Sequence, residues 1–195
     1  MNTFETYDET KRIAKGLDDI FIEDSRLYFH NFDGKSKFNQ QSNSGYIEYG
    51  VFIEDEAVAE KWAQEGWDIR VRQYEDGNKR YYIKAIINFE PRSPKTGEII
   101  EEYKPSVFVY VEGSDSMTQI TSKEEMAMYE NNDEKKTRVD VVKVDCQLGP
   151  KPTERPTPHI VAYTRHVVFT VRIMEKESNA NIRFNKFAGI KGYSE

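Results

Sequence analysis

The chain has 195 residues, a formal net charge of −6, and a composition that is 37% hydrophobic, 13% aromatic and 32% charged. That length suits one buried core with elaborations rather than a large enzyme, and no apolar run approaches the ~20 residues needed to span a bilayer. One cysteine, Cys146, and three histidines in no ligand-like spacing exclude an internal disulfide and argue against a structural zinc site.

Residues 1–19, polar and mixed in charge, read as an N-terminal arm, and their opening lacks the basic-then-apolar order of a signal peptide. An intracellular, reducing setting is therefore expected. From Ile20, IFIEDSRLYFHNF reads as one strand, with Leu27 and Phe29 on the core face and Arg26, Tyr28 and His30 on the other. A polar loop carrying Lys35 and Lys37 follows. The next strand sets Ile47, Tyr49, Val51 and Ile53 inward against Tyr46, Glu48 and Phe52.

EDEAVAEKWAQEG reads as a helix capped by Asp55 and stopped by Gly66. WDIRVRQY then points Trp67, Ile69 and Val71 one way and Arg70, Arg72 and Tyr74 the other, with Asp68. After a short turn at Glu75–Asn78, KRYYIKAIINF places Tyr81, Ile83, Ala85, Ile87 and Phe89 on the core face and Arg80, Tyr82 and Lys84 opposite. In SVFVYV the valines look inward and Phe108 and Tyr110 outward. Ser122 and Glu125 have capping-box spacing and open a second helix over SKEEMAMYEN. RVDVVKV and IVAYTRHVVFTVRI are the last strands; the proline-rich 149–158 reads as a long loop between them, and 176–195 as a flexible tail with Phe184 and Phe187.

The hairpin at 67–89 gathers Arg70, Arg72 and Tyr74 beside Arg80, Tyr82 and Lys84 on one exposed face. Flat rings next to cations suit unpaired bases: stacking contributes about 1–3 kcal/mol per base, and Lys or Arg release counterions from phosphate. The same alternation also occurs on ordinary solvated sheets, where cross-strand pairs contribute roughly 0.2–1 kcal/mol, so the pattern leaves both readings open. The carboxylates fall mostly in solvated runs, and there is no glycine-rich phosphate loop or Gly-x-Ser-x-Gly. No catalytic residue, metal or cofactor is expected. His166 beside Arg165 is a weaker phosphate candidate, and Cys146 a small core residue.

In order and spacing, IFIEDSRLYFHNFDGK, the Asp55–Glu56 helix start, Glu65-Gly66-Trp67, YYIKAIINF, VDVVKVDCQLGP and VAYTRHVVFTV resemble a family of bacteriophage single-stranded-DNA-binding proteins with an OB-fold. The approach to the second strand, Gly45 to Tyr49, departs from that family in being aromatic and acidic rather than basic and Asn-rich. The resemblance implies a mainly β chain: an OB-fold-like, five-stranded, partly open Greek-key barrel over 20–175, with one or two short helices and flexible termini. It implies non-catalytic, largely sequence-independent binding of single-stranded DNA during phage replication or recombination, in the cytoplasm of the infected bacterial host. Bases would stack on Tyr28, Tyr46, Tyr74, Tyr82, Phe108 and Tyr110, and phosphates would meet Arg26, Arg70, Arg72, Arg80 and Lys84. Lys35 and Lys37 would close over the strand. Replication or recombination proteins are partners expected at the tail, no membrane is expected, and self-association is left open. The alternatives are a phage protein-interaction module and an RNA-binding OB-fold protein.

Overall fold

Residues 20–31 are rich in β-forming side chains, yet they do not form one strand. Asp24 takes a left-handed backbone (φ 53°), which Asp tolerates better than most residues. The run divides into β1 (Ile20–Ser25) and β2 (Leu27–Asn31). The computed structural model describes residues 16–35, 46–131, 137–153 and 158–175. Among these the remaining elements are β3 (Ile47–Ile53), α1 (Glu56–Gln64), β4 (Ile69–Gln73), β5 (Lys79–Ile87), β6 (Ser106–Val111), β7 (Met117–Ile120), α2 (Lys123–Ala127), β8 (Thr137–Thr153) and β9 (His159–Glu175).

The hydrogen-bonded order is β1-β8-β9-β5-β3-β2, with β4 added to β5, β6 to β9 and β7 to β6. Since β1 and β2 are halves of one run, the path returns to the stretch where it began. Counting that run once gives a five-strand circuit in the order 1-2-3-5-4-1, antiparallel except where β5 meets β9. The protein is therefore mainly β with an OB-like circuit, as the resemblance implied. The parallel seam is narrow, limited to Ala85↔Ala162 and Ile86↔Tyr163, so the barrel is only partly closed there.

Alternation along the strands fills the interior. Ile47, Tyr49, Val51, Ile83, Ala85, Ile87, Val107, Val109, Val167, Phe169 and Val171 are all buried. At the centre, Phe169 meets Phe32 and Tyr49 edge-on, at centroid distances of 5.1 and 5.2 Å. The Tyr49 hydroxyl is satisfied by Thr164 Oγ1 at 3.0 Å. Burial pushes the Cys146 thiol up to about 12, which leaves it an inert core residue. Asp55 caps α1 by accepting from the Ala57 and Val58 amides, and Trp67 closes the corner behind it, bridged to Ile160.

Three further expectations need correction. The proline-rich stretch is not all loop: β8 continues through Pro150 and Pro152, paired with β9 to Thr153. The β1 pairing with β8 ends at Leu148, so among the described residues the following stretch is an edge, where a missing N–H need remove no ladder bond. The second helix is shorter than its sequence suggested, five residues anchored by the Ser122 cap and buried Met126. Val71 lies on the side of β4 shared with Ile69 yet is 53% exposed, β4 being paired with β5 alone among the described residues. Phe29 lies on the outer face, for the reason given below. Residues 1–15 and 176–195 lie outside the described residues.

Phe169 joins β9 to both halves of the core. Phe169→Ala should destabilise the fold by about 3–5 kcal/mol, the usual cost of such a cavity, read as a lower urea midpoint. A loss under about 1 kcal/mol would mean that the core collapses around the site.

Candidate nucleic-acid interface

The β4–β5 hairpin sets the frame. Its turn uses Gly77 at φ 84°, and Asp76 Oδ1 accepts from the Asn78 amide. In the resulting register Arg70 faces Tyr82 and Arg72 faces Arg80. Ile83 and Ala85 are buried, so Tyr82 and its cross-strand neighbours lie on the outer face.

A β-bulge brings further rings to that face. Leu27 pairs with Val51, but Phe29 already pairs with Gly50, so Tyr28 is the extra residue. An added residue breaks strict alternation, and Tyr28 and Phe29 both project outward. The Phe29 ring occupies the position a Cβ on residue 50 would take, 2.6 Å from its Cε1, a close approach that Gly50 permits. Tyr28 lies 4.4 Å from Tyr82 and 5.5 Å from Phe52 by ring centroids, and Phe29 meets Tyr82 edge-on at 6.4 Å.

Two guanidiniums tie this cluster to Tyr74. Arg72 sits 5.3 Å from the Tyr28 ring and 5.2 Å from Tyr74, and also donates to the Tyr28 hydroxyl. Arg80 sits 5.5 Å from both Phe52 and Tyr74. Neither arginine forms an ion pair with a carboxylate among the described residues; Arg80 is held by two aromatic faces, and Arg72 by two faces and the Tyr28 hydroxyl. Phe52 points outward as expected but is only 8% exposed, lying beneath Tyr28 and Arg80.

The other candidates fall into different situations. Arg70 is held by Asp68 at 2.9 Å, and Lys84 by Glu48 at 3.0 Å in a largely buried pair. Arg26 lines the same depression as Phe52, Tyr74 and Arg80, 3.9 Å from Glu54. Tyr46 is exposed at the opposite end of β3, in a groove with Asn88 and Lys104. Phe108 packs on His166 at 5.6 Å, and Tyr110 lies across from Met117 on β6–β7, so no contact joins either to the cluster among the described residues. Lys35 is exposed at the end of the described segment, and Lys37 lies outside the described residues. Phe29 is the ring that sequence reasoning placed wrongly; a glycine in mid-strand was the available signal.

The base of the Lys35 loop is clamped. Glu130 Oε2 accepts from the Phe32 amide at 2.6 Å and lies 3.2 Å from His30 Nδ1, while the His30 ring stacks on Phe32 at 4.4 Å. Burial pushes the Glu130 carboxyl upward, but His30 and the amides of Phe32 and Asn131 outweigh it and hold the group below its ordinary value.

The arrangement offers half-buried rings flanked by two arginines that form no ion pair among the described residues, and can take flat aromatic rings carrying phosphate. A family described as "Putative phage ssDNA-binding domain" matches residues 9–185. None of the curated protein sequences matches the chain. Among solved structures, the single-stranded DNA-binding protein from bacteriophage Enc34, C-terminal truncation, is similar at 12% identity and TM-score 0.44, over 82% of this chain and 87% of that one. The gp2.5 single-stranded DNA-binding protein of bacteriophage T7 is similar at 10% identity and TM-score 0.35, over 91% and 100%.

The Glu130 clamp has a pH signature. A carboxyl depressed in the folded state contributes stability above the unfolded glutamate value of about 4.3, and that contribution is lost as pH falls through the folded value. Glu130→Gln should therefore be less stable than the native protein at neutral pH, with the difference closing in acid. Urea melts across pH read this, and a constant difference at every pH would contradict it.

Proposed function

The chain belongs to the phage ssDNA-binding domain family, and from single-stranded DNA binding as premise we propose that it binds the strand without catalysis and with little sequence preference, across the Tyr28–Tyr82 cluster. The observation that carries this reading is the pair Arg72 and Arg80, stacked on rings and in no ion pair among the described residues of an acidic protein. Every base has a π-face, so stacking of this kind tolerates any sequence. Arg26 and Arg70 contact phosphates at the margin of the cluster. Lys84 contributes less, since using it for phosphate would uncover Glu48.

In this reading residues 20–175 are the binding unit, residues 1–19 an arm, and residues 176–195, with Phe184 and Phe187, the segment that meets replication or recombination proteins. The site of action is the cytoplasm of an infected bacterium, where unpaired DNA is exposed during phage replication or recombination.

A labelled dT oligomer titrated by fluorescence anisotropy at low and moderate salt should bind saturably, weaken as salt rises, and resist duplex competitor. Arg72→Ala with Tyr82→Ala should weaken binding by roughly tenfold or more, the effect of losing a stacked base and a phosphate contact, with the melting temperature little changed. Undiminished affinity in a folded double variant would move the site elsewhere on the sheet.

A further inference from the structure

We propose that the same outer face carries a second nucleotide subsite, across the β5–β9 seam, built from Tyr103, Lys151, Tyr163 and Arg165. It deepens the single-strand reading above and rests on it.

Tyr163 pairs with Ile86 across the seam and faces outward, because its neighbours Ala162 and Thr164 are buried. Lys151 Nζ lies 4.3 Å from the Tyr163 ring centroid and donates to its hydroxyl at 3.2 Å. The Arg165 guanidinium lies 5.3 Å from the ring of Tyr103, which is 49% exposed. Gly149, opposite Tyr163, makes this placement feasible: a Cβ there would overlap the Arg165 guanidinium. Together they border a groove of about 310 Å³ whose walls include Pro91, Pro94 and Pro150.

Charge separates this groove from its surroundings. Three other surface depressions each include at least two carboxylates: Glu90 and Glu124; Glu54, Glu56 and Asp76; Glu98, Glu101 and Glu102. Among the described residues, this groove is lined by three cations and no carboxylate. Arg92 is occupied by Glu90 at 2.8 Å, whereas Lys151 meets only Tyr163 among the described residues and Arg165 approaches a carboxylate, Asp19, no closer than 3.9 Å. An exposed ring, Tyr103, and a half-buried one, Tyr163, each beside a cation, repeat the chemistry of the first cluster.

The two sites are joined along β5, whose outward residues run Tyr82, Lys84, Ile86, the last beside Tyr163. Four residues of strand span about 13 Å, room for about four nucleotides at a stacked rise of ~3.4 Å. The intervening Lys84–Glu48 pair offers a phosphate no net charge. A strand long enough to reach both clusters gains the second as an intramolecular contact, whereas a short one does not, so affinity rises in two steps with length.

The test is anisotropy with dT oligomers of about 4 and about 16 nucleotides, the range one OB-fold accommodates. Lys151→Gln/Tyr163→Ala/Arg165→Gln should lose roughly tenfold in affinity for the long oligomer, the effect of one stacked base, and leave the short one unchanged. Its salt slope on the long oligomer should be shallower by about 1.4, for two phosphates at ~0.7 each. Gly149→Ala, which displaces Arg165 while keeping its charge, should reproduce part of that loss; it also serves if the triple variant is unstable. Undiminished binding of the long oligomer by both variants, with Arg72→Ala/Tyr82→Ala still defective, overturns the second subsite and leaves the first intact. An equal loss at both lengths overturns the two-step geometry. Failure of the native protein to bind either oligomer overturns the single-strand reading and this inference with it.

Discussion

A strand that serves two edges of a barrel must turn its hydrogen-bonding groups from one neighbour to the other without stranding them in the interior. Residues 24–26 do this. The Asp24 amide donates to Asp145 Oδ1 on β8 at 2.7 Å. One residue later the buried Ser25 hydroxyl donates to the Phe52 carbonyl on β3 at 2.8 Å, and the Phe52 amide donates to the Arg26 carbonyl at 3.1 Å. The chain thus passes from β8 to β3 within three residues. Phe52 is the acceptor that completes this closure and also the floor of the aromatic cluster. Barrel closure and the candidate site therefore share a residue.

The bulge at Tyr28 follows directly after that turn. Without it, β2 would alternate across β3 and Phe29 would point into a core already filled by Phe32, Tyr49 and Phe169. With it, two consecutive rings reach the outer face, and Gly50 makes room for one of them. Rings braced by one another and by Arg72 and Arg80 have less rotamer freedom left to lose when a ligand arrives, which favours binding by preorganisation. Lys84 is fixed in the opposite sense. Its buried partner Glu48 would lose its nearby cation if the pair opened, which costs stability.

Local alternation made much of this legible. The period-two pattern in 47–53 and 79–87 assigned the core faces, and Asp76-Gly77 set a hairpin whose register put Arg70 and Arg72 opposite Tyr82 and Arg80. What alternation could not supply was a change of phase. A single extra residue reverses every later side chain, and the bulge at Tyr28 depends on how β2 meets β3 rather than on its own sequence. Pro150 and Pro152 misled for a related reason: proline excludes a central strand, but only the sheet order reveals that β8 is an edge beyond Leu148. Tyr46 and Phe52 share a face in the sequence pattern, yet six residues of strand separate them by about 20 Å, and only Phe52 meets the cluster.

The acidic total, −6, then acquires a physical role. Duplex DNA presents phosphates and keeps its bases stacked inside, so a protein whose 28 Lys and Arg are outnumbered by 34 Asp and Glu gains little counterion release from it. The long-range field opposes such encounters further. An unpaired strand offers the same phosphates together with exposed base faces, and the rings at Tyr28, Tyr74 and Tyr82 answer to the bases alone. In the proposed reading, setting Arg72 and Arg80 against those rings makes phosphate contact there worthwhile mainly where a base can stack beside it. In that reading, a preference for single strands over duplex would follow from an acidic total and plentiful aromatic surface, with no need for the protein to read any base edge.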